Sequence, residues 1–224
     1  MSEERVRIPR RRLVEIQNMT RSLQGVLPVH ALNTARAENL VAAVEKLRAE
    51  GISNGVTALL TYVVAGALVA HPEMHRTVDG EEFIVRSDVN LGVAVAGTDG
   101  SLSVPVLHGA QKFGIRELAA ELDALAARSR AQKLAPADVA GGSFAISNMG
   151  RTMKGGQGAG IIPLGYAGML ASGSVIDAAV VDNGVVVPGK ILPLTLTFDH
   201  RVANGIAAWR FYADVVKGIE EIVV

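Results

Sequence analysis

A chain of 224 residues, 49% of them hydrophobic, is long enough to bury one large core, and no linker-like stretch divides it. Its 22 Lys plus Arg equal its 22 Asp plus Glu and only 4% of residues are aromatic, a balance that offers neither an electrostatic footprint for nucleic acid nor a stacking surface for bases. Cysteine is absent, which excludes disulfides, thiolate metal sites and a cysteine nucleophile, so any reacting thiol has to arrive with a substrate.

Residues 1–12 form a basic arm with Arg5, Arg7, Arg10, Arg11 and Arg12, whose default reading is a solvated segment. It lacks the apolar centre of a signal peptide. Leu13, Ile16, Met19 and Leu23 then recur at helical spacing. After Leu27 and Pro28, Asn33 or Thr34 is expected to cap a helix carrying Leu40, Val41, Val44 and Leu47, stopped by Gly51. Ser53 and Asn54 offer the next cap, for a helix with Val56, Leu59, Leu60, Val63, Val64 and Leu68 that His71-Pro72 ends. The run from Val56 to Ala70 is nearly all apolar yet shorter than the ~20 residues that cross a bilayer, so it reads as a buried helix covered on both sides. These features predict a soluble cytoplasmic protein without nucleic-acid or membrane partners.

Asp79-Gly80 marks a turn before a short strand at Phe83 to Val85. Val89, Leu91, Val93 and Val95 alternate with small or polar residues, Thr98-Asp99-Gly100 turns the chain, and Leu102, Val104 and Val106 complete a hairpin. Ile115, Leu118, Ala119, Leu122, Leu125 and Ala126 form a helical stripe, closed by Lys133-Leu134-Ala135-Pro136. A strand in GGSFAISNMG, Gly141 to Gly150, brings Ser147 to a turn-like Asn148-Met149-Gly150, where local sequence alone favours an ordinary turn serine. The glycine-rich Lys154 to Gly160 lacks the Gly-Lys-Ser/Thr ending of a phosphate loop and reads as a flexible connection. Strands follow at Gly165 to Ser174 and Val180 to Val187, the second turning at Asp182-Asn183-Gly184.

In LPLTLTFDHRVANG, period-two alternation puts Leu192, Leu194, Leu196, Phe198 and His200 on one strand face and Pro193, Thr195, Thr197 and Asp199 on the other. An imidazole is thus delivered to a strand-to-helix junction, where it is either a core histidine bonded to a carbonyl or a general base. Asn204 can cap the last helix, in which Ile206, Trp209, Ala213, Val216 and Ile219 recur at helical spacing.

The segment FDHRVANG resembles the Asp-His-Arg-x-x-Asp-Gly signature of the dihydrolipoyl acyltransferase catalytic domain, the core component of 2-oxo acid dehydrogenase complexes, a signature shared more loosely with chloramphenicol acetyltransferase. Asp199, His200, Arg201 and Gly205 keep the pattern, and Asn204 stands where Asp is most common. DVNLGVAVAGTDGSLSVPVLHGA and GGSFAISNMG resemble further family blocks in the family's order, so the likeness covers nearly the entire chain. It departs at Asn18, where the family has a basic residue, and at His30, one place from the histidine of the family's Ile-Pro-His turn.

The resemblance implies an α/β fold, a chloramphenicol-acetyltransferase-like two-layer sandwich with a mixed sheet, trimeric, with active sites at subunit interfaces. It implies a single acyltransferase domain over 1–224, whose Arg-rich entry leads to a first helix at the subunit contact. It further implies acyl transfer between a dihydrolipoyl thiol and coenzyme A, with no metal. His200 would be the general base, Ser147 the hydroxyl donor to the oxyanion, Asn204 a helper, and Asp199 and Arg201 supports of the site; no residues are assigned to coenzyme A. Implied partners are two further copies, a larger cage of trimers anchored through Ile222-Val223-Val224, a lipoyl domain and the dehydrogenase components. Lipoyl and subunit-binding domains are not in this sequence, which suggests a catalytic core cut from a longer chain, placed in the cytoplasm or, in a eukaryote, the mitochondrial matrix. A small-molecule coenzyme A-dependent acetyltransferase of the same fold and a structural core with an impaired site, the latter suggested by Asn204, are the alternatives.

Overall fold

The computed structural model describes residues 3–97 and 101–224. Helix α1 (Arg10–Gly25) leaves Leu13, Ile16 and Leu23 exposed, while the buried Ser22 hydroxyl donates to the Ile162 carbonyl at 2.6 Å. Pro28–Arg36 is strand β1, antiparallel to residues 191–199, so Asn33 and Thr34 lie in a ladder and cap no helix. Its strand character comes from a partner far along the chain, which local pattern does not display.

Helix α2 (Glu38–Ala49) starts instead at Ala37, with no capping side chain. Glu38 in its first turn accepts from the Arg36 guanidinium and the Lys190 N–H, and these bonds pull its carboxyl down to about 2. Helix α3 (Gly55–Ala70) begins where expected, but the Asn54 amide donates to the Ala119 carbonyl and Asp123 rather than capping it. Leu59, Leu60, Val64 and Leu68 of α3 are fully buried, but Tyr62 and Val69 are 43% and 57% exposed, so one stripe of this helix stays uncovered where cover on both sides was expected. Among the described residues no helix is long and apolar enough to cross a membrane.

Strands β2 (Thr77–Asp79) and β3 (Glu82–Ile84) pair as a small separate hairpin. The predicted valine-rich hairpin is present as two short antiparallel ladders. In them β4 (Leu91–Val93) pairs with β7 (Val106–Leu107), and β5 (Val95–Ala96) with β6 (Leu102–Ser103). Its turn at Thr98-Asp99-Gly100 lies outside the described residues. Helix α4 (Ile115–Arg130) buries Leu118, Ala119, Leu122 and Leu125.

Strands β8 (Phe144–Asn148), β9 (Gly168–Ser172) and β10 (Ile176–Asp182) lead to β11 (Val185–Asp199) and helix α5 (Gly205–Glu220). The predicted turn at Asn183-Gly184 joins β10 to β11, but β11 does not stop at Val187. It runs on for 15 residues, and the separate strand expected at Leu192 is its second half. The main sheet is mixed and seven-stranded, in the order β1-β11-β9-β8-β4-β7, with β10 pairing the first half of β11. β8 runs parallel to β9 and β4; the other pairs are antiparallel.

Helices α2, α3 and α5 cover one sheet face and form one continuous core with it, in which Phe144 of β8 meets Phe211 of α5 edge-on at 5.5 Å. Along β11 every residue from Leu192 to Asp199 is buried, on both faces. Lys154–Gly160 is the expected coil, but it is fastened to the sheet. Gln157 Nε2 donates to the carbonyls of Asn33 and Leu194, and Gly155 N to Ser174 Oγ. The buried face of α5 is Ala208, Phe211, Tyr212, Val215 and Ile219, whereas Ile206 and Trp209 are 67% and 54% exposed. The helical period was legible; packing between sheet and α3 rotates the face by about one residue.

Gly168 shows how tightly the centre is packed. A Cβ there would lie 2.8 Å from the Thr197 carbonyl oxygen of the neighbouring strand and 3.0 Å from the Phe144 ring. Gly168→Ala is expected to cost ~1–3 kcal/mol by overpacking. Gly25→Ala, with open space around the Cβ, is expected to be near neutral. Urea denaturation midpoints of the two variants check this.

Candidate active site

β11 ends at Asp199 because its carboxylate turns the chain. Asp199 is 1% exposed and accepts from the N–H of Leu27 (3.1 Å), the N–H of Arg201 (3.0 Å) and the Arg201 guanidinium (2.6 Å at Nη2). Burial by itself would raise this carboxyl, but the Arg201 guanidinium and the two backbone N–H groups outweigh it and hold the carboxyl below the usual range. Val202 N–H donates to the Asp199 carbonyl at 3.0 Å and closes the turn. Between them His200 donates its backbone N–H to the Leu27 carbonyl at 2.8 Å. Its ring stacks on Phe198, with centroids 5.9 Å apart.

His200 is therefore not the last residue of the apolar strand face. The strand closes one residue earlier, and the imidazole stands exposed at its mouth, so the reading of a buried core histidine is set aside. The other four histidines differ from it. His30 Nδ1 meets Thr197 Oγ1 at 3.0 Å, His71 Nε2 meets Asp214 at 2.7 Å, His108 Nε2 meets the Ala137 carbonyl at 3.0 Å, and His75 is 3% exposed. Among the described residues, His200 has the exposed ring with no hydrogen-bond partner, which leaves both nitrogens open to a substrate.

Asn204 caps α5. Its Oδ1 accepts from the Ala207 N–H at 2.9 Å, while its Nδ2 has no partner among the described residues. The capping and donor roles, alternatives on sequence grounds, use opposite atoms of one amide and are compatible.

Ser147 is half-buried on β8, and its hydroxyl makes no hydrogen bond among the described residues. It is far from His200. Ser147 lies level with Ala171 of β9 and, through it, with Thr195 of β11. His200 is five residues further on, so at ~3.3 Å per residue and with two strand spacings of ~4.8 Å the two side chains are roughly 15–20 Å apart within one chain. One chain gathers Asp199, His200, Arg201 and Asn204 but leaves Ser147 out.

Two cavities flank these groups. One, of about 310 Å³, opens at the end of β8 between α2 and residues 173–175, with Val41, Val44, Arg48, Asn148, Arg151 and Ser174 in its wall. A second, of about 210 Å³, lies under the His200 turn and is lined by Ser22, Val78, Tyr166, Asp199 and Arg201. Burial pushes the Tyr166 hydroxyl up to about 12. A third cavity, about 770 Å³ between α3 and α5, contains none of the site residues. Sequence reading missed Arg48 and Arg151, which carry no local motif, and Arg76, whose guanidinium reaches the Val202 carbonyl.

Residues 1–224 match the family model of the 2-oxoacid dehydrogenases acyltransferase catalytic domain, and the chain belongs to this family. It is 32% identical over 211 residues to the lipoamide acyltransferase component of the branched-chain alpha-keto acid dehydrogenase complex of Bacillus subtilis, covering 92% of this chain and 49% of that protein. The chain spans about half the length of this relative. Among solved structures it is 28% identical to dihydrolipoamide acetyltransferase of Azotobacter vinelandii, with a TM-score of 0.90 over 98% of this chain and 92% of that one. That crystallographic and enzymatic work concerned a serine, a histidine and an asparagine in the catalytic mechanism, with the same four-residue step from histidine to asparagine as from His200 to Asn204. The cubic core of a pyruvate dehydrogenase multienzyme complex is 29% identical, with a TM-score of 0.90 over 98% of this chain and 92% of that one. A chloramphenicol acetyltransferase, 13% identical with a TM-score of 0.57 over 91% of this chain and 94% of that one, shares the fold.

The depressed Asp199 carboxyl sets a pH dependence. A group held below its unfolded value stabilises the fold above the ordinary carboxylate range of ~4, and that contribution is lost as pH falls through the folded value. Melting temperatures between pH 7 and pH 3 are expected to fall more steeply for the native chain than for Asp199→Asn, which starts lower at pH 7.

Proposed function

We propose that this chain moves acyl groups between a dihydrolipoyl thiol and coenzyme A, as the core component of a 2-oxo acid dehydrogenase complex. The observation that carries this reading is the exposed, unpartnered imidazole of His200 on a turn fastened at several points, in a chain whose whole length matches the acyltransferase family. His200 accepts the proton of the attacking thiol. The sulfur adds to the thioester carbonyl, and the resulting oxyanion accepts from the Ser147 hydroxyl and Asn204 Nδ2. Collapse of the intermediate expels the second thiolate, and the imidazolium returns the proton to it. Neither a metal ion nor an acyl-enzyme enters this scheme.

Ser147 and His200 are too far apart to act within one chain, so the site is built between copies, with Ser147 of one facing His200 of the next. The apolar residues left exposed on α1 (Leu13, Ile16, Leu23), β1 (Val29, Leu32) and α5 (Ile206, Trp209) support a threefold assembly in which these faces are covered. A larger cage is compatible with the cubic-core relative, although of the C-terminal residues Ile222 is committed to the chain's own core and Val223 points out at 76% exposure. The 310 Å³ cavity beside β8, with Arg48 and Arg151 in its wall, suits the anionic half of coenzyme A. A lipoyl domain would bring the other thiol and the dehydrogenase components the acyl group. The cytoplasm, or the matrix of a mitochondrion, is the setting that matches such a complex.

The impaired-core alternative rests on Asn204; the amide's unpartnered N–H donors support the active reading over it. The test is transfer from acetyl-, isobutyryl- and succinyl-CoA to free dihydrolipoamide. His200→Ala is expected to lower kcat by ~10²–10⁴-fold and Ser147→Ala by ~10²–10³-fold. Native chain that assembles yet transfers none of the three acyl groups would overturn the reading. Mixed and reassembled, the two inactive variants are expected to regain about a quarter of native activity, since random pairing in a threefold ring restores about one site in four. No recovery in mixed assemblies would place both residues in the same chain's site.

A further inference from the structure

The His200 turn is braced from two sides, and only one brace belongs to the signature motif. Leu27 and Arg201 hold its first half through Asp199 and the His200 N–H. Its second half is held by Arg76, which follows the 3₁₀ turn Pro72–His75. Arg76 donates Nε at 2.9 Å and Nη2 at 2.6 Å to one acceptor, the carbonyl of Val202. The guanidinium sits over the Phe83 ring of β3, its Cζ 3.7 Å from the centroid. Phe83 is 47% exposed, so the ring contributes little to the core and serves as a platform for the arginine.

Val202 is two residues past His200 and two before Asn204. A carbonyl held by two N–H groups resists rotation, so the peptide plane midway between His200 and Asn204 is tied down by a residue outside the motif. This matters because no side chain among the described residues hydrogen-bonds the His200 ring. Its direction is left to the Phe198 stack and to the backbone, and a general base must be placed to a fraction of an ångström. We infer that Arg76, seated on Phe83, is a positioning residue for His200 and Asn204, acting through the Val202 carbonyl, and that the β2–β3 hairpin is the strut that carries it. The inference rests on the acyl-transfer reading for its kinetic consequence and on geometry alone for its structural one.

The experiment compares Arg76→Met, Arg76→Lys and Phe83→Leu in the assembled protein. Arg76→Met keeps the chain length but removes every donor, and is expected to lower kcat by about 10-fold or more with KM for acyl-CoA within about twofold. Arg76→Lys, with one ammonium able to reach the carbonyl, is expected to recover part of kcat, a rescue that loss of fold would not show. Independently of activity, the rate of diethyl pyrocarbonate labelling at His200, read by mass spectrometry against His30, is expected to change by about twofold or more in Arg76→Met. If Arg76→Met does not fold, Phe83→Leu, which leaves the arginine but removes its seat, is expected to give a smaller loss of the same kind. Native kcat and native labelling in the folded variants would overturn the inference. A native protein that transfers no acyl group would sink the acyl-transfer reading instead, and the labelling rates would then decide the role of Arg76.

Discussion

The structure depends on one strand whose second half is hydrogen-bonded along both edges and buried on both faces, and on the carboxylate that ends it. β11 pairs with β1 on one side and with β10 and then β9 on the other, so its second half cannot shift register without unmaking the sheet. Asp199, 1% exposed, then takes N–H groups from Leu27 and Arg201 together with the Arg201 guanidinium, which are charge-assisted bonds. A doubly paired, buried segment therefore hands directly to a turn that leaves the imidazole of His200 open. Rigidity at Asp199 and openness one residue later are two consequences of the same geometry.

The distance between Ser147 and His200 has an equally simple origin. Two strands that run in opposite senses, with a third between them, carry their ends to opposite margins of the sheet, and each proposed site residue sits near the end of its own strand. In the proposed mechanism such a pair would meet across two copies. The apolar residues that this chain leaves in water on α1, β1 and α5 are what a copy-to-copy contact would cover. Assembly and chemistry are then coupled: a change that loosens the contact would empty the site without touching a reacting group.

Asn204 shows how one side chain serves two masters. Its oxygen satisfies an N–H at the start of α5 and its nitrogen remains free for a developing negative charge. An aspartate could cap equally well but would need a proton to donate. The departure from the commonest signature residue thus keeps a hydrogen-bond donor available at this position.

Much was legible in the residues themselves. The apolar run of α3, the stripe of α4, the valine-rich hairpin and the turn at Asn183-Gly184 depend on neighbours within a few positions, and each formed where periodicity and turn chemistry placed it. The motif around His200, with Ser147 and Asn204, named the candidate chemistry. β1 was not legible, because VHALNT has no strong strand preference and is extended by its pairing with residues 191–199. Nor was the buried face of α5, which the contact with α3 rotates, or the grip of Arg76 on Val202, which joins residues with no local relation. The sequence by itself determined which side chains are present at which local spacing, and so the family, the core helices and the candidate base. Only the tertiary structure decided that His200 is exposed, that Ser147 stands at the opposite margin of the sheet, and that a third element aims the turn, because each is a relation between strands and loops far apart in the chain.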